Sequence, residues 1–385
     1  MTAISRQAAL ITPRGRGAVA TWWIRGDVES WQRLPFESAI SLTPVDQPLG
    51  RILFGQWRGE KVVLAKTGEF EWELHSHGGA AAVNRLQTDL EEAGFQIISW
   101  QQSLTEKTTR LESEFLIATT QTVTWKTTEI LLRHSADHFL QRLRTWKQKL
   151  ASPSPELEEV ISECDEILRW ETLGQRLTQP TRVVLAGVPN AGKSSLLNRL
   201  AGYERTIVQN QPGTTRDVIG VEIALDGFPV TLTDTAGLRM TEDRLESLGI
   251  SKAREVLKKA DLIVHLIDLT SEPIDEERQF DAQFPNAITV LHKCDATAHA
   301  TRQPTSDLRV SSLTGEGLDQ LIEAIVRRLF SESPDEQQII PVTDRQCRLL
   351  ATIQDSLREN DPARAIHGIE TLIHGEQHPT SQSAR

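Results

Sequence analysis

The run Gly187-Val188-Pro189-Asn190-Ala191-Gly192-Lys193-Ser194-Ser195 carries the strongest chemical signal in this chain. Its G-x-x-x-x-G-K-[ST] spacing suits a loop that cradles phosphate. Glycines let backbone N–H groups turn inward around phosphate oxygens, and a following helix adds partial positive charge at its N-terminus. Lys193 would reach the β- and γ-phosphates, and the Ser194 hydroxyl would ligate Mg2+. The flanks fit this reading. Thr181 to Ala186 is apolar and rich in β-branched residues, like a buried strand, and a helical pattern begins at Leu196. A nucleoside triphosphate is the expected ligand, lined by Gly187, Asn190, Ala191, Gly192, Lys193, Ser194 and Ser195.

The base is read further on, at Leu291-His292-Lys293-Cys294-Asp295. Guanine presents N1–H and N2–H2 together, and one buried carboxylate, expected to be Asp295, accepts both. The Lys293 stem would cover a face of the base. Adenine lacks that donor pair and would leave the carboxylate unsatisfied, which discriminates strongly. GTPases commonly carry Asn-Lys-x-Asp here, whereas this chain has His292 at the first position. Ser311 and Ser312 fall where a loop N–H would meet guanine O6, although Leu313 replaces the usual Lys. GTP and GDP are therefore the expected ligands.

Two further segments complete the pattern. Asp234-Thr235-Ala236-Gly237 follows an apolar run. There Asp234 would hold the Mg2+ shell and the Gly237 N–H would face the γ-phosphate. Pro212 to Asp217 sits where a switch loop belongs, with Thr215, or Thr214 beside it, closing on Mg2+ while the γ-phosphate is present. Leu238 stands where a water-orienting Gln is usual. An arginine finger or a cation must then neutralise transition-state charge, an effect of roughly 10³–10⁵ in rate. By its residues alone, Glu246 is a carboxylate near a helix start, which suits a cap.

Composition frames these motifs. A chain of 385 residues is too long for one compact domain. Apolar residues make up 38% and charged residues 25%, so real cores are expected. No stretch approaches the roughly 18 apolar residues of a membrane span, and a cytoplasmic protein without membrane contact is expected. Cys164, Cys294 and Cys347 form neither a disulfide framework nor a zinc spacing. A net charge of −11 argues against nucleic-acid binding through a whole-protein positive field.

All nine tryptophans precede the phosphate loop, which separates modules near residue 180. Residues 1–105 read as an α+β domain, with strands at 17–24, 70–75 and 95–100 and a helix at 80–93. Residues 106–179 read as helical, with a break at Ser152-Pro153-Ser154-Pro155 and a single helix from Glu156 to about Gln175. Residues 180–330 alternate strands with helices, the pattern of an α/β sheet covered on both faces. Residues 331–385 read as one helix from Asp344 to about Glu359 and a polar tail. The basic side chains Arg133, Arg142, Arg144, Lys147 and Lys149 suit a solvated face, with RNA contact as the alternative.

Residues 189–239 and 246–268 resemble the GTPase domain of the MnmE (TrmE) family of tRNA modification GTPases. The resemblance implies that Asn190 ligates K+, which fills the place of an arginine finger, and that GTPase domains of a homodimer meet across the nucleotide. It implies that Glu246 positions the attacking water, and that Ser194, Thr215 and Asp234 surround Mg2+. It also implies a GTPase domain inserted in a helical domain. Thr12 to Val19, Thr67-Gly68-Glu69, Glu73-Leu74-His75 and His77-Gly78-Gly79 are similar to the family's N-terminal domain. That implies a folate-binding-like dimerisation domain that takes formyl-tetrahydrofolate. Without the resemblance, His75 and His77 are a structural pair on one strand face rather than a metal site.

Several positions depart from the family. Its short C-terminal Cys-x-Gly-Lys motif has no counterpart in the sequence, Ala65-Lys66 replaces Ser-Tyr, and residues 101–128 do not match. Two functional expectations follow. One is a K+-activated GTPase driving modification of the tRNA wobble uridine (U34) with a flavin-dependent partner. The alternative is a GTP-controlled switch, of ribosome-assembly type, that has lost the tRNA chemistry.

Overall fold

The computed structural model describes residues 4–15, 17–203, 220–234, 255–302, 308–330 and 334–376. The chain divides into two compact units, Met1–Ser113 and Glu114–Arg385.

The first unit is built on seven strands: β1 (Gln7–Leu10), β2 (Val19–Arg25), β3 (Phe36–Ser38), β4 (Ile52–Trp57), β5 (Glu60–Gly68), β6 (Glu71–His77) and β7 (Gln96–Ile97). Their order is β3-β4-β5-β6-β2-β1-β7. Only the β1–β7 pairing is parallel. Strand β4 alternates outward Ile52 and Phe54 with inward Leu53 and Trp57, the period-2 pattern of a half-buried strand. The helix Ala80–Glu92 buries Val83, Leu86 and Leu90 in a core shared with Trp22, Trp31, Trp57 and Trp72. The expected strand at 95–100 stops at Ile97. Ser99 and Gln102 form a reciprocal capping box, so Trp100 begins the helix Trp100–Thr105 instead.

The second unit opens with helices. The helix Arg110–Gln121 crosses the unit boundary, and Trp125–Arg133, Ala136–Leu150, Leu157–Leu168 and Glu171–Thr178 follow. The single helix expected at 156–175 is therefore two, with the interruption at Arg169 and Trp170. Beyond Pro341 there are two helices rather than one, Asp344–Arg358 and Pro362–His374. The second starts where the Asp361 carboxylate accepts from the Arg364 N–H and Pro362 occupies the first turn. It buries Ala365, Ile369 and Leu372.

Helices from the two sides of the central segment pack on each other: Asp344–Arg358 on Leu157–Leu168, and Pro362–His374 on Ala136–Leu150. Polar contacts fix the arrangement. Arg345 Nε and Gln346 Nε2 donate to the buried Glu114 carboxylate at 2.5 and 3.0 Å, and Gln354 Nε2 donates to Asp165 Oδ1 at 2.7 Å.

Between these helices lies a six-stranded sheet: β8 (Thr181–Ala186), β9 (Gly220–Leu225), β10 (Phe228–Asp234), β11 (Leu262–Asp268), β12 (Ile288–His292) and β13 (Arg309–Val310). Its order is β13-β12-β11-β8-β10-β9, with only β9 antiparallel. Helices Lys193–Tyr203, Asp275–Gln283 and Leu318–Leu329 connect or follow the strands. Strand β11 is buried along its whole length, as expected of a central parallel strand covered on both faces. The chain leaves β8 toward β10 on one side and returns to β11 on the other. Order reverses there, and a crevice opens at the carboxyl ends of the strands.

Candidate nucleotide site

The four nucleotide motifs leave the carboxyl ends of β8, β10, β12 and β13, so the topology brings them to one edge. The loop after β8 has the backbone a phosphate cradle needs. Gly187 and Gly192 adopt φ of 140° and 96°, and a Cβ on Gly187 would lie 2.4 Å from the Leu266 carbonyl oxygen. Asn190 is exposed and also left-handed, at φ 65°. Lys193 is buried, and its ammonium donates to the Gly187 and Val188 carbonyls at 2.9 and 2.8 Å. That side chain therefore spans the inside of the loop. Ser194 and Ser195 follow Lys193 in the first turn of the helix Lys193–Tyr203.

Neighbouring β10 delivers the next group. Ser194 Oγ donates to Asp234 Oδ2 at 2.5 Å. A hydroxyl and a carboxylate held together at a helix N-terminus form a pair of hard oxygen donors, the type Mg2+ selects. Thr214, Thr215, Gly237, Leu238 and Glu246 lie outside the described residues.

On the base side, the residue expected to read guanine is exposed rather than buried. Asp295 is nevertheless oriented, because Ser311 Oγ donates to its Oδ1 at 2.5 Å. Ser311 is fully buried and its hydroxyl also accepts from the Leu313 and Thr314 N–H groups. The bent loop after β13 thus holds the carboxylate from below. Lys293 has φ 63°, and its ammonium donates to Asp268 Oδ2 at 2.6 Å. Burial pushes the Asp268 carboxyl up. The Lys293 ammonium and the Thr270 donors more than offset this and hold it below the usual carboxylate range. Asp268, at the end of β11, was not singled out in the sequence. Its signal was its position, since it closes the strand beside β12.

His292 stands out in the sequence as a replacement for Asn, but its contacts do not. Its ring is 2% exposed, with Nδ1 2.8 Å from the Ala191 carbonyl oxygen and Nε2 2.7 Å from Ser312 Oγ. Elsewhere, His75 Nδ1 lies 3.0 Å from Thr21 Oγ1, and His77 Nδ1 lies 3.2 Å from Glu60 Oε1. Both histidines therefore have hydrogen-bond partners within the first unit. The basic helix face is largely neutralised: Arg142 meets Glu163, Lys147 meets Glu370, and Lys149 meets Glu159.

A family model described as 50S ribosome-binding GTPase matches residues 182–295. The tRNA modification GTPase MnmE of Synechococcus sp. strain WH7803 is 30% identical over 410 residues, covering 92% of this chain and 87% of that protein. The protein of the same description from strain CC9902 is 30% identical over 372 residues, covering 84% and 81%. With that of strain CC9605, identity is 38% over 214 residues, and the match spans 54% of this chain but only 47% of the relative. Among the described residues, no helix is long and apolar enough to cross a membrane.

Proposed function

The chain belongs to the MnmE family of tRNA modification GTPases and hydrolyses GTP, and from this premise we propose that its GTPase cycle drives modification of the tRNA wobble uridine. The observation that carries the nucleotide part is the convergence of Lys193, the Ser194–Asp234 pair and the Ser311–Asp295 pair at one sheet edge.

Each group has a task in this reading. The loop from Gly187 to Ser195 holds the phosphates, with Lys193 already placed inside it to neutralise the β- and γ-oxygens. Ser194 and Asp234 fit Mg2+, completed by Thr215 or Thr214; the ion neutralises charge that develops on the phosphates. Asp295 accepts from guanine N1–H and N2–H2, while Ser311 occupies one of its oxygens and prevents rotation. Lys293, tethered to Asp268, lays its stem along the base, Ser312 lines the base loop, and the Gly237 N–H faces the γ-phosphate. Glu246 orients the attacking water. Asn190 is left-handed and exposed on the loop, and would hold K+ at its rim. GTPase domains of a homodimer close this rim.

The helices on either side of residues 180–330 pack together, which supports a GTPase domain inserted in a helical domain. The first unit is an α+β dimerisation domain that takes formyl-tetrahydrofolate, and a flavin-dependent protein is the partner in the tRNA reaction. The protein acts in the cytoplasm. One observation favours the rival reading of a GTP-controlled switch without tRNA chemistry: the helix cations that would meet RNA are held by Glu163, Glu370 and Glu159. Nucleoside analysis of tRNA from a deletion strain separates the two. Loss of the modified wobble uridine supports the tRNA role, and an unchanged nucleoside profile removes it.

A further inference from the structure

His292 stands where GTPases commonly carry asparagine, and its ring joins two loops that are far apart in sequence. A carbonyl oxygen only accepts, so the Nδ1 that meets Ala191 carries the proton. In a neutral ring Nε2 is then the acceptor, and the Ser312 hydroxyl donates to it. Burial favours this neutral form by pushing the imidazole below its ordinary proton affinity, with the Ala191 carbonyl pulling the other way. The phosphate loop is shaped around the ring. A Cβ at Gly192 would sit 2.3 Å from His292 Cε1 and Nδ1.

We propose that His292 is a positioning residue for guanine-nucleotide binding, a single Nδ1–H imidazole that ties the phosphate loop at Ala191 to the base loop at Ser312. The inference rests on the GTP reading of the site. One end of the nucleotide meets the loop containing Ala191, and the other meets the loop containing Ser311 and Ser312. Fixing the distance between these loops before the ligand arrives reduces the ordering that binding would otherwise require. Asparagine can make the same two bonds, donating from its amide nitrogen and accepting at its amide oxygen. Leucine fills the space and makes neither.

The test is calorimetric titration of GDP with Mg2+ into the full chain, comparing wild type with His292→Asn, His292→Leu, Ser312→Ala and the Leu/Ala double variant. Thermal midpoints are recorded alongside. The asparagine variant should bind as wild type does. The leucine variant should fold with a lower melting midpoint, because the Ala191 carbonyl and the Ser312 hydroxyl lose a buried partner, and should lose GDP affinity about tenfold or more. Ser312→Ala should weaken binding by a smaller factor, and by nothing further in the leucine background. Nitrogen NMR should show the His292 ring, assigned by its loss in the leucine variant, with protonated Nδ1 and bare Nε2. Wild-type affinity in a folded leucine variant, additive losses in the double variant, or an Nε2–H ring at His292 overturns the proposal. If the leucine variant does not fold, Ser312→Ala decides: weakened binding supports the strut and unchanged binding overturns it. Failure of the wild type to bind GDP would instead overturn the GTP reading itself.

Discussion

Ser194 Oγ donates to Asp234 Oδ2 across 2.5 Å, joining the start of the helix behind the phosphate loop to the end of neighbouring β10. The parallel β8–β10 register pairs Leu185 with Asp234, so sheet geometry brings the two oxygens together. Asp234→Asn retains an acceptor for Ser194 and removes the charge. The chain should fold normally, and Mg2+-dependent GTP turnover should fall by at least ~100-fold, since an ion's charge stabilisation is worth several kcal/mol. Steady-state phosphate release across a Mg2+ titration measures this. A rate near wild type would move the metal elsewhere.

Ser311 holds Asp295 by one oxygen, and in the proposed reading that carboxylate carries the base specificity. In Asp295→Asn one carboxylate oxygen becomes an amide donor, which cannot pair with both guanine donors. Discrimination between GTP and ATP should drop by about two orders of magnitude or more, because a missing acceptor leaves guanine donors unsatisfied. Competition of ATP against a fluorescent GDP reads the ratio directly. Undiminished discrimination would place base reading at other residues.

Acid should weaken the fold at His292. Burial holds its proton affinity below the ordinary value of 6.5, so the unfolded chain binds the proton more readily than the folded one. The stability contributed by the neutral ring is complete above pH 6.5. It declines as pH falls through 6.5 toward the lower folded value. Melting curves should therefore lose more between about pH 7.5 and 5.5 in the wild type than in His292→Asn. Parallel losses would show that the ring does not titrate this way.

Gly174 lies in the helix Glu171–Thr178, where a Cβ would sit 1.9 Å from the Pro341 carbonyl oxygen. That oxygen is backbone and cannot swing aside. Gly174→Ala should cost about 1–3 kcal/mol through overpacking, despite alanine's better helix propensity. Differential scanning calorimetry would register a midpoint several degrees lower. An unchanged or raised midpoint would mean that the helix Glu171–Thr178 and the segment at Pro341 do not meet this closely.

The nucleotide edge was legible because its chemistry is written in short, fixed spacings. Gly187 to Ser195 carries its own backbone demands, and apolar runs such as 262–267 can only be buried strands. What stayed hidden depends on distant partners. His292 is informative only once Ala191 and Ser312 are beside it, and neither lies within 19 residues. Asp268 matters through Lys293, 25 positions away. Other omissions were local signals left unread. Val62 and Leu64 alternate inward along β5, and Arg58-Gly59 make the left-handed turn that leads into it. Asp361 and Pro362 announce the last helix. The capping box at Ser99 lost to an apolar run, which is why Trp100 was expected in a strand.

The most direct test of the central claim is multiple-turnover hydrolysis by the purified full chain with Mg2+, offered GTP or ATP, in potassium or sodium chloride. The account predicts phosphate release from GTP alone, faster in potassium than in sodium. Absence of GTP turnover in either salt, or equal turnover of ATP, would contradict it.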